Sequence, residues 1–263
     1  MVVVPIEIAN AVRENDDAPA LARWLDASPV RTVDDMDGED PPYPLLKITA
    51  ERGSIECAKL LLARGAQIDL CAPEDPETAL HIASECCEMN GVGTKLIDLF
   101  LDAGADVEAR GSLFPDPNGQ LSAQTPLGRF LQACRFPDGL DVAAVLNTLL
   151  CAGADVDAVA GNPEKRLSAE DVLSKRFPAE APPAWRSSLS NLLEILSGFR
   201  AAGCSWKAYK RGPHMAMLLL RSLRARGRAV ATPGTSGYVD RLTSPNLPCG
   251  VAWKILEYWR ATE

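Results

Sequence analysis

Three times the chain writes nearly the same five residues at the end of a leucine-rich run. They are Gly65-Ala66-Gln67-Ile68-Asp69, Gly104-Ala105-Asp106-Val107-Glu108 and Gly153-Ala154-Asp155-Val156-Asp157. A short pattern that recurs in this way marks one supersecondary unit per copy. Each unit buries its apolar face only against a neighbouring unit. The recurrence therefore predicts stacked helical layers.

The pattern has a mechanical reading. A helix commonly stops where a glycine can turn left-handed, because glycine has no Cβ to clash. The runs 55–64, 95–103 and 142–152 place Leu, Ile, Val or Ala on one face at helical spacing, and a glycine ends each. The alanine that follows leaves room for the next layer, and the closing Asp or Glu can accept hydrogen bonds from turn amides. Leu61, Leu99 and Leu149 are expected to face the adjoining layer.

The opposite end of each unit is also written. Thr78-Ala79-Leu80-His81 and Thr125-Pro126-Leu127-Gly128 read as helix starts, with Thr to cap orphan amides and Pro126 already set for a helix. Pro44-Leu45-Leu46-Lys47 and Ser168-Ala169-Glu170-Asp171 are weaker copies. A start of this form, two helices and then Gly-Ala-Asp-Val resembles the ankyrin repeat, whose period is about 33 residues. The resemblance implies an all-α ankyrin-repeat solenoid of about five helix-pair units with short hairpin fingers, followed by a C-terminal helical tail. His81 keeps the family's histidine; Lys47, Gly128 and Asp171 depart from it.

Spacing locates the irregularities. Pro44 to Gly65 is 21 residues, Thr78 to Gly104 is 26, Thr125 to Gly153 is 28 and Ser168 to Gly203 is 35. The excess falls where turn or polar residues cluster, at 86–94, 135–139 and 177–186, between the two helices of a unit. A further stretch, 110–124, lies between units and contains Phe114-Pro115-Asp116-Pro117-Asn118-Gly119; in the family, a hairpin finger projects here. Ile6–Arg13 and Pro19–Asp26 read as a first, capping unit, since Val33-Asp34 stands 35 residues before Ile68-Asp69. Gly203-Cys204-Ser205-Trp206 closes the last unit. The organisation expected is an array over 1–206 and a basic helical extension over 207–263.

Charge divides the chain unevenly. Residues 1–194 carry a net −16 and residues 195–263 a net +8, which together make the −8 of the whole. The acidic part repels nucleic acid. It either attracts a basic protein partner or forms a solvated surface that maintains solubility.

In the basic part, His214–Arg226 reads as an amphipathic helix with Met217, Leu220 and Leu223 among its apolar positions. After a break at 231–236, Leu247-Pro248 introduces a second helix, Gly250–Arg260, with Val251, Trp253, Ile255, Leu256, Tyr258 and Trp259. Three readings of this tail stand open. It caps the open end of the array. Or it docks a second protein, since Leu247, Pro248, Trp253, Ile255, Leu256 and Trp259 are similar to the SOCS box and F-box-like boxes found after ankyrin arrays; that resemblance implies a cullin adaptor as partner and a ubiquitin-ligase substrate-recognition role. Or its arginines bind nucleic acid or an anionic membrane.

Little in the chain suggests catalysis. Two histidines leave scant material for acid–base or nucleophilic chemistry, and no Gly-x-Gly-x-x-Gly or P-loop pattern is present. The eight cysteines include no Cys-x-x-Cys pair, so neither zinc nor a cofactor is expected. The vicinal Cys86-Cys87 reads either as a redox pair or as a reduced pair of a cytosolic protein. No apolar run approaches membrane-spanning length, and the first residues do not form a signal peptide, so cytoplasm or nucleus is the expected location and a monomer the expected state. The expected function is protein recognition through the concave face. Its contact residues are Asp37, Tyr43, Glu74, Asp75, Leu113, Phe114 and Asp116, all in finger segments; Tyr43 and Phe114 could instead pack within their own fingers.

Overall fold

The computed structural model describes residues 3–38, 42–72, 74–87, 94–115, 121–133, 142–162, 165–176, 183–226 and 243–244. They form two compact units, divided between Leu196 and Ser197 rather than after Trp206. The division coincides with the change of charge sign. The described residues are predominantly helical. The helices run α1 (Ile6–Asn15), α2 (Ala18–Asp26), α3 (Leu45–Arg52), α4 (Ile55–Ala63), α5 (Ala79–Cys86), α6 (Lys95–Asp102), α7 (Pro126–Ala133), α8 (Val142–Cys151), α9 (Ala169–Arg176), α10 (Pro183–Ala201) and α11 (Trp206–Ala225).

In the first unit the helices from α1 to α9 pack against the one two places along. Helices α1, α3, α5, α7 and α9 make one succession of contacts, and α2, α4, α6 and α8 make a second. Buried between them are Leu21, Leu45, Ile48, Leu61, Leu80, Ile97, Phe100, Leu127, Phe130, Leu146 and Leu149. Leu61 and Leu149 are fully buried as expected, but Leu99 is only half-buried and Phe100 fills its place. Counting back four residues from each glycine gives Leu61, Phe100 and Leu149. The core register thus follows the cap rather than the leucines.

The caps are alike to within a few tenths of an ångström. Gly65, Gly104 and Gly153 take φ of +86°, +90° and +100°. Each glycine N–H donates to the carbonyl three residues back, at 3.0, 2.9 and 3.1 Å. Each following alanine N–H donates to the carbonyl of Leu61, Phe100 or Leu149. This is the Schellman arrangement, which satisfies the last carbonyls of a helix. Gly203, at φ +71°, repeats it in the second unit with Arg200 and Phe199 as acceptors.

Two of the closing acids, Asp69 and Glu108, accept turn amides of the next layer, and Asp34 does the same. Asp34 accepts from Gln67 N at 2.9 Å, Asp69 from Asp106 N at 3.1 Å, and Glu108 from Asp155 N at 2.8 Å. The donor is always the second residue after the glycine. Asp34 takes its place in this ladder, as its offset from Asp69 predicts. Asp16 provides a second tie from the first helix pair. Its backbone turns left-handed (φ 48°), and its carboxylate accepts from Glu56 N and Cys57 N at the start of α4.

The segments between helices pair with one another. The strands are β1 (Val3–Val4), β2 (Met36–Asp37), β3 (Leu113–Pro115), β4 (Leu121–Gln124), β5 (Ala160–Asn162) and β6 (Lys165–Leu167). β1 and β2 are parallel, with Val3 opposite Met36. β3 to β6 form a four-stranded antiparallel sheet in sequence order, with Leu113 opposite Ala123, Ala123 opposite Gly161 and Ala160 opposite Leu167. The hairpin expected over 110–124 is therefore present. It is not an isolated finger, however, because a second hairpin over 160–167 pairs with it.

The tail needs correction too. α10 begins at Pro183, so the last residues of the stretch 177–186 are helical. α11 begins at Trp206, eight residues before the expected His214, and runs through Gly212 and Pro213. In the second unit Ser205 caps α11 by accepting from Ala208 N, Tyr209 stands edge-on to Phe199 with centroids 6.3 Å apart, and Arg224 donates to Thr243 Oγ1 at 2.6 Å. No helix among the described residues is long and apolar enough to cross a membrane.

Candidate interaction face

The four helix starts place one residue at an equivalent point, three after Pro44, Thr78, Thr125 and Ser168. Lys47, His81, Gly128 and Asp171 occupy it, and each solves a different local problem. His81 is buried. Its Nδ1 lies 3.2 Å from Thr78 N and 2.9 Å from Thr78 Oγ1, and its Nε2 lies 3.1 Å from the Gln124 carbonyl. A carbonyl only accepts, so Nε2 carries the proton and Nδ1 receives the Thr78 N–H. The ring closes a capping box and reaches across to the next hairpin. Burial drives its pKa down to about 4, with the Arg129 and Lys47 cations adding to the effect.

Gly128 has no side chain to reach across, and the next segment comes to it instead. A Cβ here would meet the Val159 carbonyl oxygen at 2.0 Å. That carbonyl accepts from Thr125 N at 3.0 Å and from Thr125 Oγ1 at 3.3 Å. Asp171 turns back on its own helix start, accepting from Ser168 N and Ser168 Oγ at 3.1 and 2.8 Å.

Lys47 forms the charged centre of the face. It is 2% exposed, ion-paired with Asp75, and its Nζ lies 4.4 Å from the centroid of the Tyr43 ring. Asp75 also accepts from Ser112 Oγ at 2.9 Å and from Glu77 N at 3.2 Å. Burial alone would raise the Asp75 carboxyl; the Lys47 ammonium outweighs it and holds the group below its usual range. Glu77 goes the other way, raised chiefly by burial, although Arg129 Nε lies 3.0 Å from its carboxylate. Arg129 also pairs with Glu85. Burial and the Asp75, Glu77, Glu51 and Asp37 carboxylates raise the Tyr43 phenol.

Two of the expected contact residues therefore face inward. Asp37 is 3% exposed, salt-bridged to Arg13 at 2.9 Å, and accepts from Tyr43 N at 2.8 Å. Asp75 is committed to Lys47 and Ser112. Both lie in the expected segments, but with oppositely charged partners from other layers they fix the face rather than present it. Tyr43 is half-buried and Glu74 exposed. Leu113 and Phe114 lie on β3, paired with Ala123 and Ser122. Asp116 lies outside the described residues, as do Leu247, Pro248, Trp253, Ile255, Leu256 and Trp259.

A row of residues that sequence reasoning missed borders this cluster. Seven residues after each start stand Glu51, Glu85, Gln132 and Lys175, on the successively packed α3, α5, α7 and α9. The first three are half-buried and Lys175 is exposed. The same spacing that aligned the starts could have found them. On the other succession of helices, a shallow groove of about 370 Å³ lies between α6 and α8, lined by Asp98, Asp102, Leu101, Val107, Thr148 and Cys151.

The vicinal cysteines are both buried, and the Cys86 thiol is pushed up to about 12 by burial first and by Glu85 next. A thiol held protonated is a poor nucleophile, and both cysteines are thiols rather than a disulfide. No protein-family model matches the chain, and no curated protein matches it significantly.

Proposed function

We propose that this chain is a divergent ankyrin-type repeat protein that holds a basic protein partner without catalysing a reaction. The partner would lie along the face bordered by Tyr43, Glu51, Glu74 and Glu85. The family reading draws support from the repeated Schellman caps, the ladder from layer to layer and the two successions of helices. Binding is supported chiefly by one observation: equivalent positions on successive helices carry half-exposed Glu51, Glu85 and Gln132, beside a rigid base of buried ion pairs. Arg129 pairs with Glu85 at the rim, which holds that carboxylate in place with little freedom left to lose on binding. A net −16 over the repeats would speed the encounter with a basic surface.

The test is affinity capture with three forms of the full chain. One is unaltered, one carries Tyr43→Ala with Glu51→Lys, and one carries Glu56→Lys with Lys59→Glu, which reverses an exposed ion pair on α4. The reading expects a captured protein that the α4 variant retains and the face variant loses, with unchanged circular dichroism for both. Equal retention by all three would sink it.

A further inference from the structure

We propose that α11 is a surface-seeking helix that lies on an anionic phospholipid membrane. The proposal is independent of the partner-binding face. Over its twenty residues α11 carries Lys207, Lys210, Arg211, Arg221 and Arg224 and no Asp or Glu. At 3.6 residues per turn, Leu219, Leu220 and Leu223 share an arc about 100° wide, with Arg224 at one margin and Arg226, which caps the helix, at the other. Leu219 is 60% exposed and Leu220 42%. Among the described residues, the other large apolar side chains left this open are Val3, Ile6 and Val30, all in the acidic unit.

Two neighbouring leucines in water, flanked by arginines, match a boundary that offers acyl chains below and phosphate at the margin. Trp206 at the head of the helix, with the Lys210 ammonium 5.2 Å from its ring centroid, adds an amphipathic aromatic of the kind that settles at headgroup level. Lys207 and Arg211, both exposed, supply further positive charge. Nucleic acid would use the cations but leave the leucines in water, so the observations favour lipid.

The experiment is flotation of the full chain with phosphatidylserine–phosphatidylcholine vesicles and with phosphatidylcholine vesicles alone. Partition onto the anionic vesicles is expected to be about tenfold or more the stronger and to fall as salt is raised. Leu219→Glu with Leu220→Glu should reduce it about tenfold, with an unchanged circular dichroism spectrum, since both side chains already stand in water. Lys207→Glu with Arg211→Glu should weaken it and flatten the salt dependence. Equal partition onto both vesicle types, absence of partition, or a leucine variant that floats like the unaltered chain would each overturn the proposal. So would an oligonucleotide that binds the chain, prevents flotation, and is bound equally well by the leucine variant.

Discussion

The turns and the helix starts of the first unit are both repeated, yet only the turns repeat their residues. Gly65, Gly104 and Gly153 share one φ range and one pair of hydrogen bonds, and the sequence around them barely changes. Lys47, His81, Gly128 and Asp171 share a position and nothing else. A turn answers to its own backbone, which demands a left-handed residue wherever it stands. Three of the starts answer to the next layer, and each next layer is different: a carboxylate for Lys47, a hairpin carbonyl for His81, a closer carbonyl for Gly128; Asp171 turns back on its own start. The turn's own demand recurs in the sequence; the demands that neighbours place on the helix starts are each written once.

The comparison can be broken by substitution. Lys47→Met should be the most costly, about 3–5 kcal/mol in urea unfolding, because Asp75 keeps its charge in a buried place without its counter-ion. Adding Asp75→Leu should recover most of that loss. A single-variant cost below about 1 kcal/mol would show that the pair does not join the layers. Gly128→Ala comes next, at about 1–3 kcal/mol, since the new methyl must displace the Val159 carbonyl.

The turns should behave uniformly. Alanine at Gly65, Gly104 or Gly153 meets nothing within 4 Å, so only the backbone resists. All three should cost about 1–2 kcal/mol and agree closely with one another; a wide spread would mean that the turns, too, are set by their neighbours. Asp69→Ala removes one rung of the ladder and should cost about 0.5–1.5 kcal/mol, with the amides of 104–108 exchanging faster.

The smallest effect at neutral pH belongs to His81→Gln. Glutamine suits the capping box but does not titrate. His81 has a folded pKa of about 4 against an ordinary 6.5, so between those values the unfolded chain binds more protons. Stability from this group is therefore full above pH 6.5 and lost as pH falls towards 4. Glu77, raised in the fold, contributes in the opposite sense, so the measurement is the difference between the two proteins. The glutamine variant should lose less stability than the parent over that window; parallel curves would mean that the folded imidazole titrates at its ordinary value.

Much of the helical plan was legible because it is local. Glycine spacing placed the caps, and the 35-residue offset placed Asp34 in the ladder. What it missed depends on contacts. Leu99 and Phe100 are equally apolar, and only the cap geometry shows which one turns inward. Asp37 and Asp75 look like surface acids until Arg13 and Lys47 arrive from other layers. The tail helix is expected from His214, yet α11 starts at Trp206 and passes through Gly212-Pro213. The pairing of the two hairpins brings together residues nearly forty positions apart, and no pattern within either hairpin announces it.

The acid-to-amide ladder gives the stack a direction of growth. Each rung takes a carboxylate from the earlier layer and a main-chain N–H from the later one. A layer added after the last needs to offer only an amide, which every residue but proline has. A layer added before the first must bring a correctly placed Asp or Glu. Lengthening is thus chemically easier towards the carboxyl end of the first unit.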